Sequence, residues 1–500
     1  MASFYTKSML SGVMPARLPL LARTPFLLDT NPLQEASSPH AGALATSRAF
    51  RSLGFPDLID IHLPLRKRQR GFTEAQMIES VLLLQTIGGE CPDDIGLLAD
   101  DGCLERGLGY RAPKATALRY FLEQFHDQGL EDQRPSRESQ LSFIVPSSSA
   151  VAGLQEVQAG GVRNIAALHE QHGRRLSIAT VDQDATLIES HKQAAYAHYQ
   201  GGRGYQPMIA LWAEADLIVA DEFRDGNVPA KQEPLNCARM AFAALPDTVS
   251  ERYFRGDSAC YETDLLRWLS DEERHGEPGG RIGFAISAMM SKQLATALGA
   301  VSDPQWVTFD EEPDGTKRQC AEVDYVPSQR YEHKHSRPLR YVGLRILKPQ
   351  GSLFADGSDR HHHAVVTNLD WIAAGLLRWH REKAGTVEHV HEELKNGLAA
   401  GHMPSQRFAV NAAWLKLSIL SYNIASAIRG LCLSATERTA RFKRYRLLMV
   451  HVAGRMNRNN CMMRLRLCAC ESAIARINTV WERFKLATQA TYSQPWPRAG

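Results

Sequence analysis

With 500 residues, 44% apolar and 23% charged, the chain is long and apolar enough for roughly two to four globular domains. A formal net charge of +3 is too small to imply a polyanion partner, so any argument for nucleic acid rests on where the charge gathers. No apolar run reaches a membrane span: Ala412–Leu433 comes closest and carries Lys416, Asn423 and Arg429, the mark of a core helix.

Residues 1–50 lack a sustained period and are expected to form an irregular tail. Met1–Leu28 carries Lys7, Arg17 and Arg23 and no acid, which leaves a transit peptide as the alternative. Residues 51–135 turn helical. Thr73 is placed to cap a helix with Met77, Ile78, Val81, Leu82 and Leu84 on its apolar side. Short helices follow in "CPDDIGLLADD" and "CLERGLGY", then one entered through Pro113 and ended near Gly129. Such short helices with tight turns suit an all-helical, helix-turn-helix-like DNA-binding region, with Lys114 and Arg119 on or near its last helix. Residues 136–173 read as a polar linker and a helix from about Val151 to Gly173.

The rhythm then changes. "RLSIATVDQD", the two halves of "YQPMIALWAEADLIVADEF", "RYFRGDSACY" and "GRIGFAISA" predict strands. "EPLNCARMAFAALPD" and "YETDLLRWLSDEE" predict helices between them. Residues 174–288 therefore form the first part of an α/β core. Residues 289–363 hold short extended pieces and read as a β-rich insertion, after which 364–400 resume the core. Residues 401–500 read as a helical, basic C-terminal region. Nine cysteines lie mostly apart, and the C-x6-C-x-C of Cys461, Cys468 and Cys470 matches no common zinc pattern, so they read as reduced thiols of a cytoplasmic protein.

Two carboxylates, Asp182 and Asp184, sit in an otherwise apolar strand, which demands either an exposed strand end or a cation. Asp257 ends a second strand. A third acid lies in "REKAGTVEHVHEELKNG". There Gly385 is expected to break one helix, Thr386 to cap the next and Gly397 to close it, with Glu388, Glu392 and Lys395 on one face. Three converging carboxylates repel, and a hard divalent cation removes that cost. Asp184, Asp257 and an acid of this helix face are thus candidate catalytic residues and ligands of Mg2+ (or Mn2+), two ions being the number that serves phosphoryl transfer. Asp182 stands as the alternative first ligand.

The motifs "DQDAT", "YFRGDSACY" and "VEHVHEELK" resemble those of bacterial insertion-sequence DDE transposases, closest to the group with the signature Y-x2-R-x3-E-x6-K. The resemblance makes Asp184, Asp257 (73 residues later) and Glu388 (131 further on) the three catalytic, metal-binding acids. The resemblance implies an RNase H-like catalytic core interrupted by a β-rich insertion, metal-dependent cleavage at the element's ends and strand transfer into target DNA. It also implies a phosphate contact by Lys395 and a homodimer in the synaptic complex. The signature's tyrosine position holds Arg381 and its arginine position Ala384, with Lys383 one residue away.

Between Arg438 and Arg466 stand nine cations and no acid. Arg441, Lys443, Arg444, Arg446, Arg455 and Arg458 among them are candidate contacts to DNA phosphates. The expected partners are double-stranded DNA, at the terminal inverted repeats and at the target, and no membrane; the expected location is the bacterial cytoplasm, on the nucleoid. His361–His363 do not converge as metal ligands, and Trp306, Trp371 and Trp379 are expected in the core. Two further readings stay open: a catalytically impaired, transposase-derived DNA-binding protein, and a metal-dependent nuclease without strand transfer.

Overall fold

The computed structural model describes residues 36–66, 70–139, 141–274, 278–327, 339–459 and 462–486. The transit-peptide alternative and Cys461 lie outside the described residues.

A mixed sheet organises the chain. Its strands are β1 (Ile178–Ala185), β2 (Met208–Trp212), β3 (Leu217–Glu222), β4 (Glu251–Gly256), β5 (Gly283–Ser287), β6 (Val307–Glu311), β7 (Lys317–Val323), β8 (Arg340–Leu347) and β9 (Arg360–Thr367). They are ordered β6-β7-β8-β9-β5-β4-β1-β2-β3. The β1–β2 and β2–β3 pairs are antiparallel, whereas β1–β4 and β4–β5 are parallel. With β4 parallel on one side and β2 antiparallel on the other, β1 lies inside the sheet and is buried from Ala179 to Gln183. Its polar residues are tolerated because each has a partner: Thr180 Oγ1 donates to Glu214 at 2.6 Å and Gln183 Nε2 to the Pro234 carbonyl at 2.9 Å.

The expected β-rich insertion is not a separate module. It holds a helix, Lys292–Ala300, and its strands β6 to β9 form a meander that prolongs the core sheet through the antiparallel β9–β5 pairing. His361–His363 lie within β9, where His361 pairs with Asp356 and His362 packs on Trp306.

Helices α1 (Leu44–Ser52), α2 (Phe55–His62), α3 (Glu74–Ile87), α4 (Ala115–Glu123), α5 (Ser149–Gln171), α6 (Pro234–Ala244), α7 (Thr263–Ser270), α8 (Lys292–Ala300), α9 (Ala373–Arg381), α10 (Lys383–Gly397), α11 (Phe408–Cys432) and α12 (Glu471–Arg483) surround the sheet. Thr73 caps α3 in a capping box with Gln76, as its position predicts. The helix expected to reach Gly129 stops at Glu123, with a separate turn at Gln128–Glu131. α11 is buried nearly all round and touches α1, α3, α5 and β3. It is no membrane span: no described helix is long and apolar enough to cross one.

Three expectations need correction. Residues 36–50 are not an irregular tail: α1 buries Leu44, Ala49 and Phe50, and Glu79 of α3 accepts from Ser47 Oγ at 2.6 Å and pairs with Arg51 at 2.9 Å. The polar stretch near residue 135 is not a loose linker. Arg134, 5% exposed, pairs with Asp225 at 2.8 Å and lies over Tyr196 and Phe408. Nor is the basic C-terminal region wholly helical. It contains a hairpin of β10 (Ala453–Asn459) and β11 (Met462–Cys468), paired to Ser37–Ser38, because a period-two pattern (Met456, Leu465, Leu467) lets one face pack on the core. The described residues form one compact unit, and the divisions expected at 135 and 400 do not break it.

Candidate active site

Asp184 sits near the end of β1 and Asp257 immediately after β4, so the parallel pairing of these strands brings both acids to the same sheet edge. Asp257 Oδ1 accepts from the Ala259 amide at 3.0 Å, which fixes the turn. Behind it, the His380 side chain bonds the Gly256 carbonyl at 3.1 Å. Burial pushes His380 down to about 4, so near neutrality it is an uncharged donor there. Burial raises Asp257, the Lys383 ammonium opposes this, and the neighbouring Asp184 charge adds to it.

Asp182, the alternative first ligand, already has a cation. It is fully buried and held by Arg255 through two contacts, 2.6 Å to Oδ1 and 2.8 Å to Oδ2. That cation answers the question raised by an acid in mid-strand. Arg255 also donates to the Trp379 carbonyl at 2.5 Å and lies over the Trp379 ring, while Thr386 Oγ1 donates to Asp182 Oδ2. The latch ties β1 and β4 to α9 and α10. Trp306 is buried beneath Arg345, as expected, whereas Trp371 and Trp379 are half-buried and pack against Tyr253 at the edge of the core.

The chain does not break at Gly385. α9 and α10 meet at Glu382, and Thr386 serves the Asp182 latch instead of a cap, whereas Gly397 ends α10 as expected. Lys383 consequently points inward, is buried, and places Nζ 3.3 Å from Asp184 Oδ2. The three acids of α10 have different fates. Glu392 pairs with Arg441 at 3.0 Å, and Glu393 accepts from the Phe442 amide. Glu388 is exposed and makes no hydrogen bond or ion pair among the described residues. Lys395, on the same flank as Glu388, donates to Thr186 Oγ1 at 3.1 Å and the Leu187 carbonyl at 3.3 Å, beside the exit of β1.

The structure thus brings Asp184 and Asp257 to one sheet edge, with Lys383 against Asp184, and leaves Glu388 on the adjoining helix. Among the described residues no three His, Cys, Asp or Glu side chains form a group able to hold a metal ion. Lys383 is the site residue that sequence reasoning missed: it was noted only as a neighbour of the signature arginine position. The available signal was a lysine one residue from that position, but its inward direction depends on where α10 begins.

The basic residues separate into two kinds. Arg446 is half-buried, with Nε 2.8 Å from the Thr86 carbonyl and Nη2 2.8 Å from that of Gln85, so it closes the end of α3 and its donors are spent on carbonyls instead of being free for DNA phosphates. Arg119 is paired with Asp93, and Arg441 with Glu392. Lys443, Arg444, Arg458, Arg464, Arg466 and Lys114 are exposed, and Arg455 is half-buried. In the hairpin, Arg455 stands opposite Arg466 and Asn457 opposite Arg464, so these four share the face turned away from Met456 and Leu465.

No curated protein matches the chain. Among solved structures it is similar to a piggyBac transposase, seen by cryo-electron microscopy in a synaptic complex with hairpin DNA. The identity is 9% and the TM-score 0.41, over 84% of this chain and 83% of that one. The family model described as "Transposase DDE domain group 1" matches residues 34–489, nearly the whole chain, and the protein belongs to that family of DDE transposases.

Proposed function

We propose that the protein cuts DNA at the ends of its own insertion sequence and joins those ends to a target. The observation that carries this is the pairing of Asp184 and Asp257 at one sheet edge, with Glu388 unpartnered on the next helix. The order β3-β2-β1-β4-β5, antiparallel then parallel, supports an RNase H-like core. The two aspartates offer the hard oxygen donors that Mg2+ or Mn2+ takes, a number that suffices when substrate phosphates complete the shell. Glu388 would supply a third carboxylate from the flank of α10. When bound, such ions activate a water and stabilise the leaving oxygen. The protein's own part is to position: the Arg255–Asp182–Thr386 latch sets α10 against β1, and His380 holds the backbone just before Asp257.

Lys114 and the exposed cations Lys443, Arg444, Arg458, Arg464 and Arg466 would contact phosphates, as would Lys395 after giving up its bond to Thr186. The reading extends to a homodimer acting on the bacterial nucleoid. One observation favours a second reading, a catalytically impaired DNA-binding protein: Arg381, at the signature's tyrosine, is tied to Asp310 at 3.0 Å and turned from the acids. The experiment is incubation of the full chain with DNA carrying the element's ends, a target plasmid and Mg2+. Recovery of joined products supports transposition; cleavage alone means a nuclease, and binding alone the impaired form.

A further inference from the structure

Two cations neutralise the acids of β1, and they are held very differently. Arg255 grips Asp182 with two nitrogens at 2.6 and 2.8 Å and is locked by the Trp379 carbonyl. Lys383 meets Asp184 through one nitrogen at 3.3 Å, longer than a strong charge-assisted bond. Its backbone lies in the first turn of α10. The rest is a flexible four-carbon arm. The lysine is therefore a cation against Asp184 that the site can release.

We propose that Lys383 is the resident counter-cation of the Asp184–Asp257 pair, and that a divalent ion is admitted by displacing its ammonium. The proposal rests on reading these aspartates as the ion's ligands. It implies that Lys383 lowers the affinity of the free protein for metal and protects the site from the repulsion of two bare carboxylates. Site loading then becomes an exchange of one cation for another.

The test is Mn2+ binding to the full chain, followed by the spin-resonance signal of the free ion. Lys383→Gln and Lys383→Met should bind Mn2+ at least tenfold more tightly than wild type, and Asp184→Asn should lose the binding. Without metal, the two Lys383 variants should melt at a lower temperature than wild type and gain more from added Mn2+. Lys383→Arg keeps the charge, and with it the neutralised pair, and should bind Mn2+ more weakly than wild type because a guanidinium grips a carboxylate at two points. Equal or weaker Mn2+ binding in the Gln and Met variants, with Asp184→Asn still defective, overturns the displacement and leaves the site reading intact. Wild-type or tighter binding by Lys383→Arg overturns it too. Mn2+ binding that ignores Asp184→Asn removes the site reading itself.

Discussion

The acid-bearing edge of the sheet and the basic C-terminal stretch carry the two strongest charge signals in the sequence, and the fold treats them in opposite ways. At the sheet edge, Asp184 and Asp257 are 73 residues apart and still come to one edge, because Asp184 lies near the end of its strand, Asp257 just after its own, and the strands pair in parallel. In the basic stretch, neighbours in sequence part company. Arg446 closes α3 from inside, Arg441 is taken by Glu392, and Lys443 and Arg444 face solvent. A carboxylate at a strand end is a statement about place, since topology fixes where strand ends gather. A count of cations is a statement only about charge, and an arginine with five donors is as useful to orphaned carbonyls as to phosphates.

This contrast can be broken most forcefully at Arg255. If Asp182 is structural, Arg255→Met strands a buried charge and should cost about 3–5 kcal/mol in urea unfolding. The double change with Asp182→Asn should restore a good part of it. A loss under about 1 kcal/mol would return Asp182 to the candidate ligands.

His169 sharpens the other side. Burial, then Arg174 and Arg438 of the basic stretch, push it down to about 4. A histidine depressed in the folded state contributes stability above its unfolded value near 6.5, and that stability is lost as pH falls toward 4. His169→Gln should therefore flatten the acid limb of the stability curve between pH 6.5 and 4, by up to about 3 kcal/mol at its lower end. Parallel curves for the two proteins would contradict the assignment.

Next comes Arg446 against its neighbours. Arg446→Gln should lower stability by about 2 kcal/mol and leave the salt dependence of DNA binding unchanged. Lys443→Gln and Arg444→Gln should do the reverse, each flattening the slope of log affinity against log salt by roughly 0.9 with stability intact. The smallest effect is expected at the hairpin. Arg464→Gln with Arg466→Gln should weaken binding to terminal and random DNA alike, and a loss confined to terminal DNA would mean that this face reads sequence.

Much of the fold was legible. The alternation in "YQPMIALWAEADLIVADEF", the strand stop in "RYFRGDSACY" and the cap at Thr73 are local signals, and the strands and the helix stand where those signals put them. The rest depended on tertiary partners. Nothing local announces that Arg134 will find Asp225, so a polar segment with Pro135 reads as a linker. The hairpin at Ala453–Cys468 was hidden by arginines that mask a weak apolar alternation. Thr386 and Gly385 are good breakers in isolation, yet the Asp182 latch recruits Thr386 into a helix that begins three residues earlier. For the site, two of three acids were brought together, and Lys383 could be recognised only once the start of α10 was known.

The most direct measurement is Mg2+-dependent cleavage of DNA bearing the element's ends, at protein concentrations that saturate binding, for Asp184→Asn, Asp257→Asn, Glu388→Gln and Glu392→Gln. The first three should bind terminal DNA as wild type does and leave it uncut. Glu392→Gln, which removes only an exposed pair with Arg441, should cut normally. Wild-type cutting by Asp257→Asn, or a dead Glu392→Gln beside an active Glu388→Gln, would contradict the account.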